Sequence, residues 1–474
     1  MPSKRYRLTL TVEGLVHIGD GGKYGKKDYF LTKQGTIAIL NVPSFVGKLD
    51  QDQLNDYCEF LKKDSRTGLQ EYLRRKGLDA VARGARLYTL DVRQDSYQYF
   101  SIWRFVKDAH GCPYVPGSSI KGMLRTAILI SLIARDRQAY ERLYNRGEVL
   151  KKRQRADEDI QRKAFWVGQL DRDGGSAVND VLRYLSVSDS DPLSVDDLVL
   201  AMKYDKFSQK DDGRHKKKLG KISDEEAYYQ GNELPIYREC LRPGTTIRTT
   251  LTVDERIGQY FDSLRLDRDG LPKALLFSYE LYQKCFLSHF DIDGEATSTK
   301  KEASSDGRCK YIYQSDRVAG TRCRNRAGGG TGYCNMHKKY ATVGGAAGGS
   351  AQDPICYLGG GIDFNTKTIE NALFVDEGRR LDEVSHILFD QFPTKLDEQR
   401  HAALKAEVQR AGFRSRPMDS QYKRNGQLKK AKEDHRHWCD GALGVSPHTL
   451  KMGKVQDKMY PMGKCRARFE ELEN

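Results

Sequence analysis

The feature that most constrains the fold is a strict alternation of apolar and polar residues over residues 6–13. Successive side chains of a β-strand point to opposite sides, so the pattern predicts a strand with one apolar and one polar face. The apolar positions are Tyr6, Leu8, Leu10 and Val12, and the polar positions are Arg7, Thr9, Thr11 and Glu13. A sheet with one face open to water is typical of antiparallel folds.

The rest of the sequence predicts a mixture of strands and helices. Strands are predicted near residues 29–32, 36–40, 85–106, 182–188 and 245–252, and alternation returns at 464–469. Helices are predicted over residues 51–76, 120–133, 138–165, 271–290 and 379–411. This distribution predicts an α+β fold in which helices cover one side of twisted antiparallel sheets.

Composition favours a polyanionic partner. The chain has 80 Lys and Arg against 65 Asp and Glu, which gives a formal net charge of +15. Such an excess favours nucleic acid before a membrane surface. We find no run of about 18 apolar residues, the length that a membrane span requires. The first residues alternate instead of forming an apolar signal segment, and ten cysteines occur without such a signal, so we predict a reducing, cytoplasmic location.

Three glycine-containing segments are candidates for binding a ligand through the backbone. The first is HIGDGG, where His17 and Gly19 are the candidate residues. Glycine lets the backbone turn tightly and approach a ligand, and successive N–H groups can bind an anion such as phosphate. The alternative is an ordinary glycine-rich turn with a structural histidine.

The second segment is PGSSIKGMLR, residues 116–125, at the start of the predicted helix. A Gly-Ser-Ser turn that opens a helix presents free N–H groups and the positive end of the helix dipole. Ser118 and Ser119 lie in this turn, and Lys121 and Arg125 lie four residues apart on one face. The segment predicts a site for an RNA phosphate; the alternative is a capped helix with two solvated basic residues.

The third segment is LGGGIDFNTKT, which contains Gly359, Gly360, Gly361 and Lys367. A triple glycine is entropically unfavourable to order and persists most easily where the backbone passes close to another group. The segment has neither the GK[ST] ending of a phosphate-binding P-loop nor the G-x-G-x-x-G spacing of a dinucleotide site, so we reject both. The alternative is the end of a flexible linker.

Two polar stretches interrupt the globular pattern. Residues 203–221 carry eight Lys and Arg and predict an exposed loop. Residues 294–353 contain four potential metal ligands with the spacing C-x13-C-x10-C-x2-H, namely Cys309, Cys323, Cys334 and His337. Three thiolates and one imidazole suit a tetrahedral, structural Zn²⁺, which would supply the folding energy that this apolar-poor segment lacks. The alternative is a set of free thiols.

These segments, in this order, resemble the RAMP proteins of CRISPR systems. Within them, the sequence is most similar to the family of subunits that cap the 3′ end of crRNA in type III-A (Csm) effector complexes. The similarity is carried by YVPGSSIKGMLRTAI, by LPIYRECLRPGT at 234–245 and by SPHTLKMGKVQDKMYPMGKCRARFE at 446–470. It covers most of residues 4–292 and 354–470.

The resemblance implies two RRM/ferredoxin-like (RAMP) halves with helical insertions, to which the small zinc-finger-like insert is an addition. We place the first half at residues 1–180 and the second at 181–293 and 354–474. The insert is placed at 294–353, with the finger at 308–338.

The resemblance also implies a function. The chain would be a non-catalytic, cytoplasmic subunit that binds crRNA near target RNA and contacts neighbouring Csm backbone subunits. It would be needed for antiviral defence and for crRNA maturation, through host nucleases that it recruits. His17 and Gly19 would lie near RNA, Ser118, Ser119, Lys121 and Arg125 would hold phosphate, and Gly359, Gly360 and Gly361, followed by Lys367, would form the signature loop.

Two other readings remain open from the residues. The first is a Cas6-like RAMP endoribonuclease that processes pre-crRNA, with His17 as its general base, since such chemistry needs an acid and a base around a 2′-hydroxyl. The second is a zinc-dependent DNA-binding protein, against which stands the lack of a recognition helix after the finger.

Overall fold

The computed structural model describes residues 3–32, 35–63, 67–91, 100–145, 150–166, 176–209, 231–259, 270–291, 353–391 and 440–473. The chain divides into two units, Met1–Phe290 together with Asp353–Asn474, and Asp291–Gln352. The first unit contains all the elements described below.

Within the described residues, the strands are β1 (Ser3–Val12), β2 (Gly19–Tyr24), β3 (Tyr29–Leu31), β4 (Ile37–Leu40), β5 (Arg86–Leu90), β6 (Ile102–Phe105), β7 (Leu185–Val187), β8 (Leu198–Phe207), β9 (Gly231–Leu241), β10 (Thr246–Asp254), β11 (Ile355–Tyr357), β12 (Thr449–Val455), β13 (Lys458–Pro461) and β14 (Lys464–Leu472). The α-helices of the same residues are α1 (Val42–Val46), α2 (Gln51–Lys62), α3 (Leu69–Lys76), α4 (Asp79–Arg83), α5 (Gly117–Arg135), α6 (Arg137–Asn145), α7 (Leu150–Phe165), α8 (Ser176–Asn179), α9 (Gly270–Cys285), α10 (Glu370–Leu373), α11 (Glu377–Gln391) and α12 (Asp440–Leu443).

The alternating N-terminal segment forms β1, the middle strand of a five-stranded sheet with the order β11-β14-β1-β10-β7. All its pairings are antiparallel, and Leu8 of β1 lies between Thr249 of β10 and Phe469 of β14. We call it the terminal sheet, since strands from both ends of the sequence meet in it. The four apolar residues of the alternation are buried, as predicted.

A second sheet has the order β13-β12-β8-β9-β6-β2. It is antiparallel except between β6 and β9, where Ile102 lies opposite Tyr237 in a parallel pair. Both sheets combine strands from before and after residue 180, so strand pairing crosses the boundary that we placed between two halves. The two RRM-like halves remain a prediction.

A third, smaller sheet, β3-β4-β5, packs with the short helices α1 to α4 around its own apolar cluster. Phe60 and Tyr72 stack at its centre with ring centroids 4.3 Å apart. The β3–β4 hairpin confirms the turn predicted between residues 32 and 36. The helix predicted over residues 51–76 is two helices: α2 ends at Lys62, where Lys63 is extended, and α3 begins after Gly68.

The longest helix, α5, packs against the inner face of the terminal sheet together with α9. Ile120, Leu124, Ala127, Ile128 and Ser131, predicted to share one face, are all buried. By length and composition alone α5 could cross a membrane, but 56% of its most apolar stretch is buried within the fold. That burial is what a core helix requires, since each fully buried leucine or isoleucine contributes roughly 2 kcal/mol.

One prediction of local structure is wrong. Lys203 and Lys206 lie in strand β8, and not in an exposed loop, because β12 and β9 pair with them on either side. The basic residues at 210–221 lie outside the described residues.

Candidate nucleic-acid interface

Three of the predicted segments meet around a groove of about 370 Å³. It lies between the start of α5, helix α9 and the triple-glycine loop. The predicted site residues that line it are Gly19, Ser118, Ser119, Gly359, Gly360 and Lys367. The groove is open to solvent on one side, and its volume is within the range of small-ligand sites, so it can accept a nucleotide.

The triple-glycine loop contacts the HIGDGG segment through the backbone. Gly360 donates its N–H to the carbonyl oxygen of His17 at 2.7 Å. Gly359 has a φ of +94°, and a Cβ atom there would lie 2.4 Å from the same oxygen. Only glycine fits this contact, because any side chain would collide with backbone as well as strain φ. Lys367 reaches back over the loop, with Nζ 3.3 Å from the carbonyl oxygen of Gly359.

His17 lies behind the groove, and not in it. The ring is buried, and Nδ1–H donates to the carbonyl oxygen of Glu239 at 2.7 Å. Burial lowers the pKa of His17, which keeps the ring neutral. His17 therefore supports the loops structurally. Its buried ring is not placed to contact a 2′-hydroxyl as a general base.

The start of α5 is only partly available to a ligand. The N–H of Gly117 already donates to Oδ1 of Asp189 at 2.7 Å. A Cβ atom at Gly117 would lie 2.2 Å from the carbonyl oxygen of Val187, so this glycine is explained by packing of the helix against β7. Ser118 and Ser119, which directly follow Gly117, line the groove, although the N–H of Ser119 already donates to the carbonyl oxygen of Pro116.

Lys121 and Arg125 share a helix face, as predicted, but that face does not line the groove. Arg125 donates to Oδ2 of Asp180 at 2.5 Å and to Oε1 of Gln161, and its guanidinium lies 4.0 Å from the ring centroid of Phe165. Burial lowers the pKa of Lys121, which lies close to the same pair. Within the described residues the donors of Arg125 serve the packing of α5, and its role as a phosphate ligand stays a prediction.

Aromatic side chains form another wall of the groove that the sequence interpretation missed. Tyr279 of α9 and Tyr357 of β11 stack with centroids 6.5 Å apart and an interplanar angle of 26°. Tyr282 meets Tyr357 edge-on at 5.0 Å. Both stacked rings are half-buried, which leaves ring surface for a nucleobase. The aromatic-rich FSYELYQKCF segment was the available signal.

A basic cluster lies beside the triple-glycine loop on the second sheet. We call it the glycine-loop cluster: Lys203 of β8, Arg238 of β9 and Lys451 of β12. Lys451 lies 3.0 Å and Lys203 3.6 Å from the carboxylate of Asp205. A Cβ atom at Gly361 would lie 3.5 Å from Cζ of Arg238, an ordinary contact distance, so the loop lies beside the guanidinium; the φ of +76° is what favours glycine there.

The glycine-loop cluster has more positive than negative charge. Burial lowers the pKa of Lys203, and the neighbouring Lys451 and Arg238 lower it further. Burial also lowers the pKa of Arg238. Crowded, desolvated cations of this kind are stabilised by an anion, and Arg with Lys suits a phosphate. The YREC and SPHTLK segments, which carried the family resemblance, supply two of these three residues.

Asp363 closes the other end of the triple-glycine loop. It is fully buried, its Oδ1 accepts the N–H of Lys451 at 2.7 Å and its Oδ2 accepts the hydroxyl of Tyr282 at 3.0 Å. Burial raises the pKa of Asp363 to about 7, against the opposing effect of the bonds from Lys451 and Tyr282. Asp363 thereby ties the groove to the glycine-loop cluster.

A second buried carboxylate, Glu239, holds the strands beneath both loops together. Its side chain accepts the N–H of Phe105 at 2.7 Å, the hydroxyl of Tyr88 at 2.5 Å and the ammonium of Lys107 at 2.6 Å. A buried charge requires such partners. Its backbone oxygen accepts the His17 ring, so β9 fixes the position of the HIGDGG segment.

The predicted zinc ligands Cys309, Cys323, Cys334 and His337 lie outside the described residues. Structural zinc at these positions therefore stays a prediction.

Comparison with known proteins adds to this geometry. A family model described as RAMP superfamily matches residues 102–302. The CRISPR system Cms protein Csm5 of Mycobacterium tuberculosis is 34% identical over 155 residues, which are 32% of this chain and 36% of that protein. The matched region thus spans about a third of the length of this Mycobacterium tuberculosis protein. The Csm5 protein of Streptococcus thermophilus is 24% identical over 61% of this chain and 74% of its own length.

The fold also has a counterpart among solved structures. A chain in the cryo-EM structure of the Csm–crRNA–target RNA ternary complex of a type III-A CRISPR-Cas system is 17% identical to this chain. The alignment covers 98% of this chain and 100% of that one, with a TM-score of 0.54. The mixed α and β architecture predicted from the sequence is therefore confirmed as a shared fold. Residues 102–302 thus match the RAMP superfamily model, and the two relatives described above are proteins named Csm5.

Proposed function

We propose that the chain is a non-catalytic subunit of a type III-A CRISPR effector complex, which binds crRNA at its 3′ end and functions in crRNA maturation and antiviral defence. Its partners are crRNA, the target RNA nearby, neighbouring Csm backbone subunits and the host nucleases that mature the crRNA, all in the cytoplasm. The fold would comprise two RRM-like halves.

The observation that carries this proposal is the groove. It brings backbone groups of two glycine segments, the hydroxyls at the start of α5 and one ammonium to the same place, next to stacked tyrosines. Serine hydroxyls and a lysine ammonium bind phosphates where glycines let the ligand come close, while tyrosine rings stack on bases of single-stranded RNA. None of these contacts reads a base edge, so RNA of any guide sequence can bind.

The similarity to Csm5 proteins supports the type of complex. The relatives are named as proteins of a CRISPR system, and the fold counterpart was solved with crRNA and target RNA. A Cas6-like nuclease is disfavoured, because the histidine that would be its base is buried and engaged by Glu239.

The test is to incubate the purified full chain with labelled pre-crRNA and mature crRNA. Binding and cleavage are followed together at low and high salt, with and without a chelator. We expect binding that weakens steeply with salt, because phosphate contacts release counterions, and no cleavage. Specific cleavage of pre-crRNA by the chain alone would overturn the proposal.

The groove itself is tested by Gly122→Tyr. Gly122 lines the groove on an exposed face of α5, and a Cβ atom there has open space around it, so a tyrosine fills the groove without disturbing the core. We expect at least about tenfold weaker RNA binding, equal to roughly 1.4 kcal/mol. Gly258→Tyr, at a position with equally open space away from the groove, is the matched control.

We propose, in addition, that Cys309, Cys323, Cys334 and His337 hold a structural zinc ion. The support is the ligand set itself, three thiols and an imidazole in a segment with few apolar residues.

A further inference from the structure

The outer face of the terminal sheet carries a set of arginines. On β1, the residues that alternate with the buried ones point away from α5 and α9. The pairing registers bring outward residues of β10 and β14 beside them: Thr9 lies between Arg248 and Arg468, and Thr11 lies opposite Arg466. We call this surface the arginine face, which consists of Arg5, Arg7, Arg248, Arg466 and Arg468.

The acidic residues of these strands balance only part of this charge. Glu13 accepts the Nε–H of Arg466 at 2.5 Å, and its other carboxylate oxygen lies 3.4 Å from Nζ of Lys464. Glu470 lies opposite Arg7 in the strand register but forms its ion pair with Arg468, at 3.0 Å. Asp254, at the end of β10, pairs with Arg256.

Three arginines on this face have no such partner. In the part of the chain that the structure describes, no ion pair involves Arg5, Arg7 or Arg248, and all three side chains are exposed. Exposed cations contribute little to folding, so the fold does not explain why arginine occupies these positions.

The chemistry of the arginine face identifies its ligand. A guanidinium donates two parallel hydrogen bonds to a phosphate, and threonine hydroxyls can donate between them. The threonines of β1 and β10 on this face are Thr9, Thr11, Thr246, Thr250 and Thr252. The aromatic residues of β1, β10 and β14, as the structure describes these strands, are Tyr6 and Phe469, and both are buried in the core. These three strands therefore present no aromatic ring on the arginine face to stack on a base. Such a surface reads a phosphodiester backbone and not a base sequence.

The scale of the arginine face also suits a strand of RNA. Adjacent strands lie about 4.8 Å apart, so Arg248 and Arg468 are separated by about 10 Å across Thr9. Arg5 and Arg7 are two residues apart, about 7 Å along β1. The cations are therefore spread over a surface, which favours an extended polyanion over a single small ion.

We propose that the arginine face is a second RNA-binding surface, which holds the phosphodiester backbone of a single-stranded RNA on the side of the terminal sheet opposite α5 and α9. This inference rests on the proposed function, since it assumes that the chain binds RNA. It adds a surface that the groove does not include.

The test compares two triple variants of the full chain. Arg5→Gln, Arg7→Gln and Arg248→Gln together remove the unpaired charges of the arginine face. Lys63→Gln, Arg74→Gln and Arg83→Gln together remove the same charge from exposed positions on and beside helices α2, α3 and α4. The affinity for a labelled single-stranded RNA of arbitrary sequence is measured by fluorescence polarisation over a range of salt concentrations.

We expect the first triple variant to bind about 10- to 100-fold more weakly near physiological salt. The slope of log affinity against log salt should fall in magnitude by about 2, since each lost phosphate contact removes about 0.7 for single strands. The control should keep nearly the wild-type slope. On the unmodified chain, bound RNA should protect Arg5, Arg7 and Arg248 from phenylglyoxal, as read by mass spectrometry.

Three results would overturn the inference. One is a first triple variant that matches the control in both affinity and slope. If Gly122→Tyr still loses binding in that case, the proposed function stands and only the arginine face is refuted. Another is RNA that leaves all three arginines equally reactive. A third is a variant that binds RNA normally but no longer assembles with neighbouring subunits, which would make the face a docking surface for an acidic protein.

Discussion

The arginine face and the glycine-loop cluster both concentrate positive charge, but they do so in different surroundings. On the arginine face every guanidinium group but that of the half-buried Arg466 is exposed to water, and three of them have no ion pair among the described residues. In the glycine-loop cluster, Lys203, Arg238 and Lys451 crowd around Asp205 and are partly desolvated. The first arrangement attracts a polyanion over a distance, and the second offers a fixed, weakly screened position to one phosphate.

The comparison teaches that a net charge does not describe a binding surface. Exposed charges contribute many small, salt-dependent increments, whereas enclosed charges depend on the loop that encloses them. The following predictions test that difference, from the largest expected effect to the smallest.

The largest effect, on stability, is expected at Gly359 in the triple-glycine loop. Gly359→Ala places a Cβ atom 2.4 Å from the backbone oxygen of His17 at a φ of +94°. The free energy of unfolding should fall by roughly 5 kcal/mol, beyond the 1–2 kcal/mol of a left-handed alanine alone. Urea unfolding measures it. Gly21→Ala, with a φ of +85° and nothing within 4 Å, isolates the backbone strain; equal losses in both variants would show that the loop contact is not tight.

The next largest effect is a pH dependence of stability, caused by the buried Asp363 at the end of the triple-glycine loop. Because the pKa of Asp363 is about 7 in the folded chain and near 3.8 ordinarily, the folded state holds more protons between these values. Stability therefore falls as pH rises from about 4 to about 7, by at most about 4 kcal/mol.

Asp363→Asn should remove this slope, with urea unfolding at several pH values as the measurement. Its amide can accept from the N–H of Lys451 and donate to the Tyr282 oxygen, so the contacts can persist. Asp457→Asn, at an exposed turn, should change nothing. A variant that keeps the wild-type slope would place the titration elsewhere.

Single arginine substitutions compare the two surfaces directly. Arg238→Gln should weaken RNA binding about tenfold, and Arg7→Gln about threefold, because the first charge is less screened by water and ions. As salt increases, the effect of Arg7→Gln should vanish while that of Arg238→Gln persists. Fluorescence polarisation at two salt concentrations measures both. If both effects decay together, the glycine-loop cluster is as exposed to ions as the arginine face.

The smallest effect on RNA affinity is expected from the insert. Purified chain should contain one zinc ion, and Cys334→Ser should lose it while Cys58→Ser retains it, as measured by mass spectrometry of metals. RNA affinity should change by less than about twofold on zinc loss, because both basic surfaces lie in the other unit. Deleting residues 294–353 should leave a folded protein; aggregation would show that the insert is integral.

Local periodicity made part of the fold predictable. β1 and α5 were found because the burial of each residue follows directly from spacing along one element. The glycine and serine segments were identified one by one, since such segments act through their own main chain. That Gly19, Ser118 and Gly360 line one groove was shown only by the structure.

Contacts between distant elements were not predictable in the same way. Spacing showed that Lys121 and Arg125 share a face, but not that Asp180 and Gln161 occupy it. Lys203 was predicted to lie in a loop because many residues that follow it in the sequence are charged. In the fold its surroundings are determined by strands β9 and β12, which pair with β8 on either side. Tyr279 and Tyr357 come from separate elements, and only the packed fold makes them one wall.

The pairing of β1 with β10 and β14 has a consequence for synthesis on the ribosome. β1 emerges first, yet β10 follows more than 200 residues later and β14 comes near the last residues of the sequence. At about 5–20 residues per second, β1 waits on the order of a minute for its second neighbour. During that interval an apolar strand has an unpaired edge, which is a template for aggregation, so folding yield should depend on chaperones that bind nascent chains.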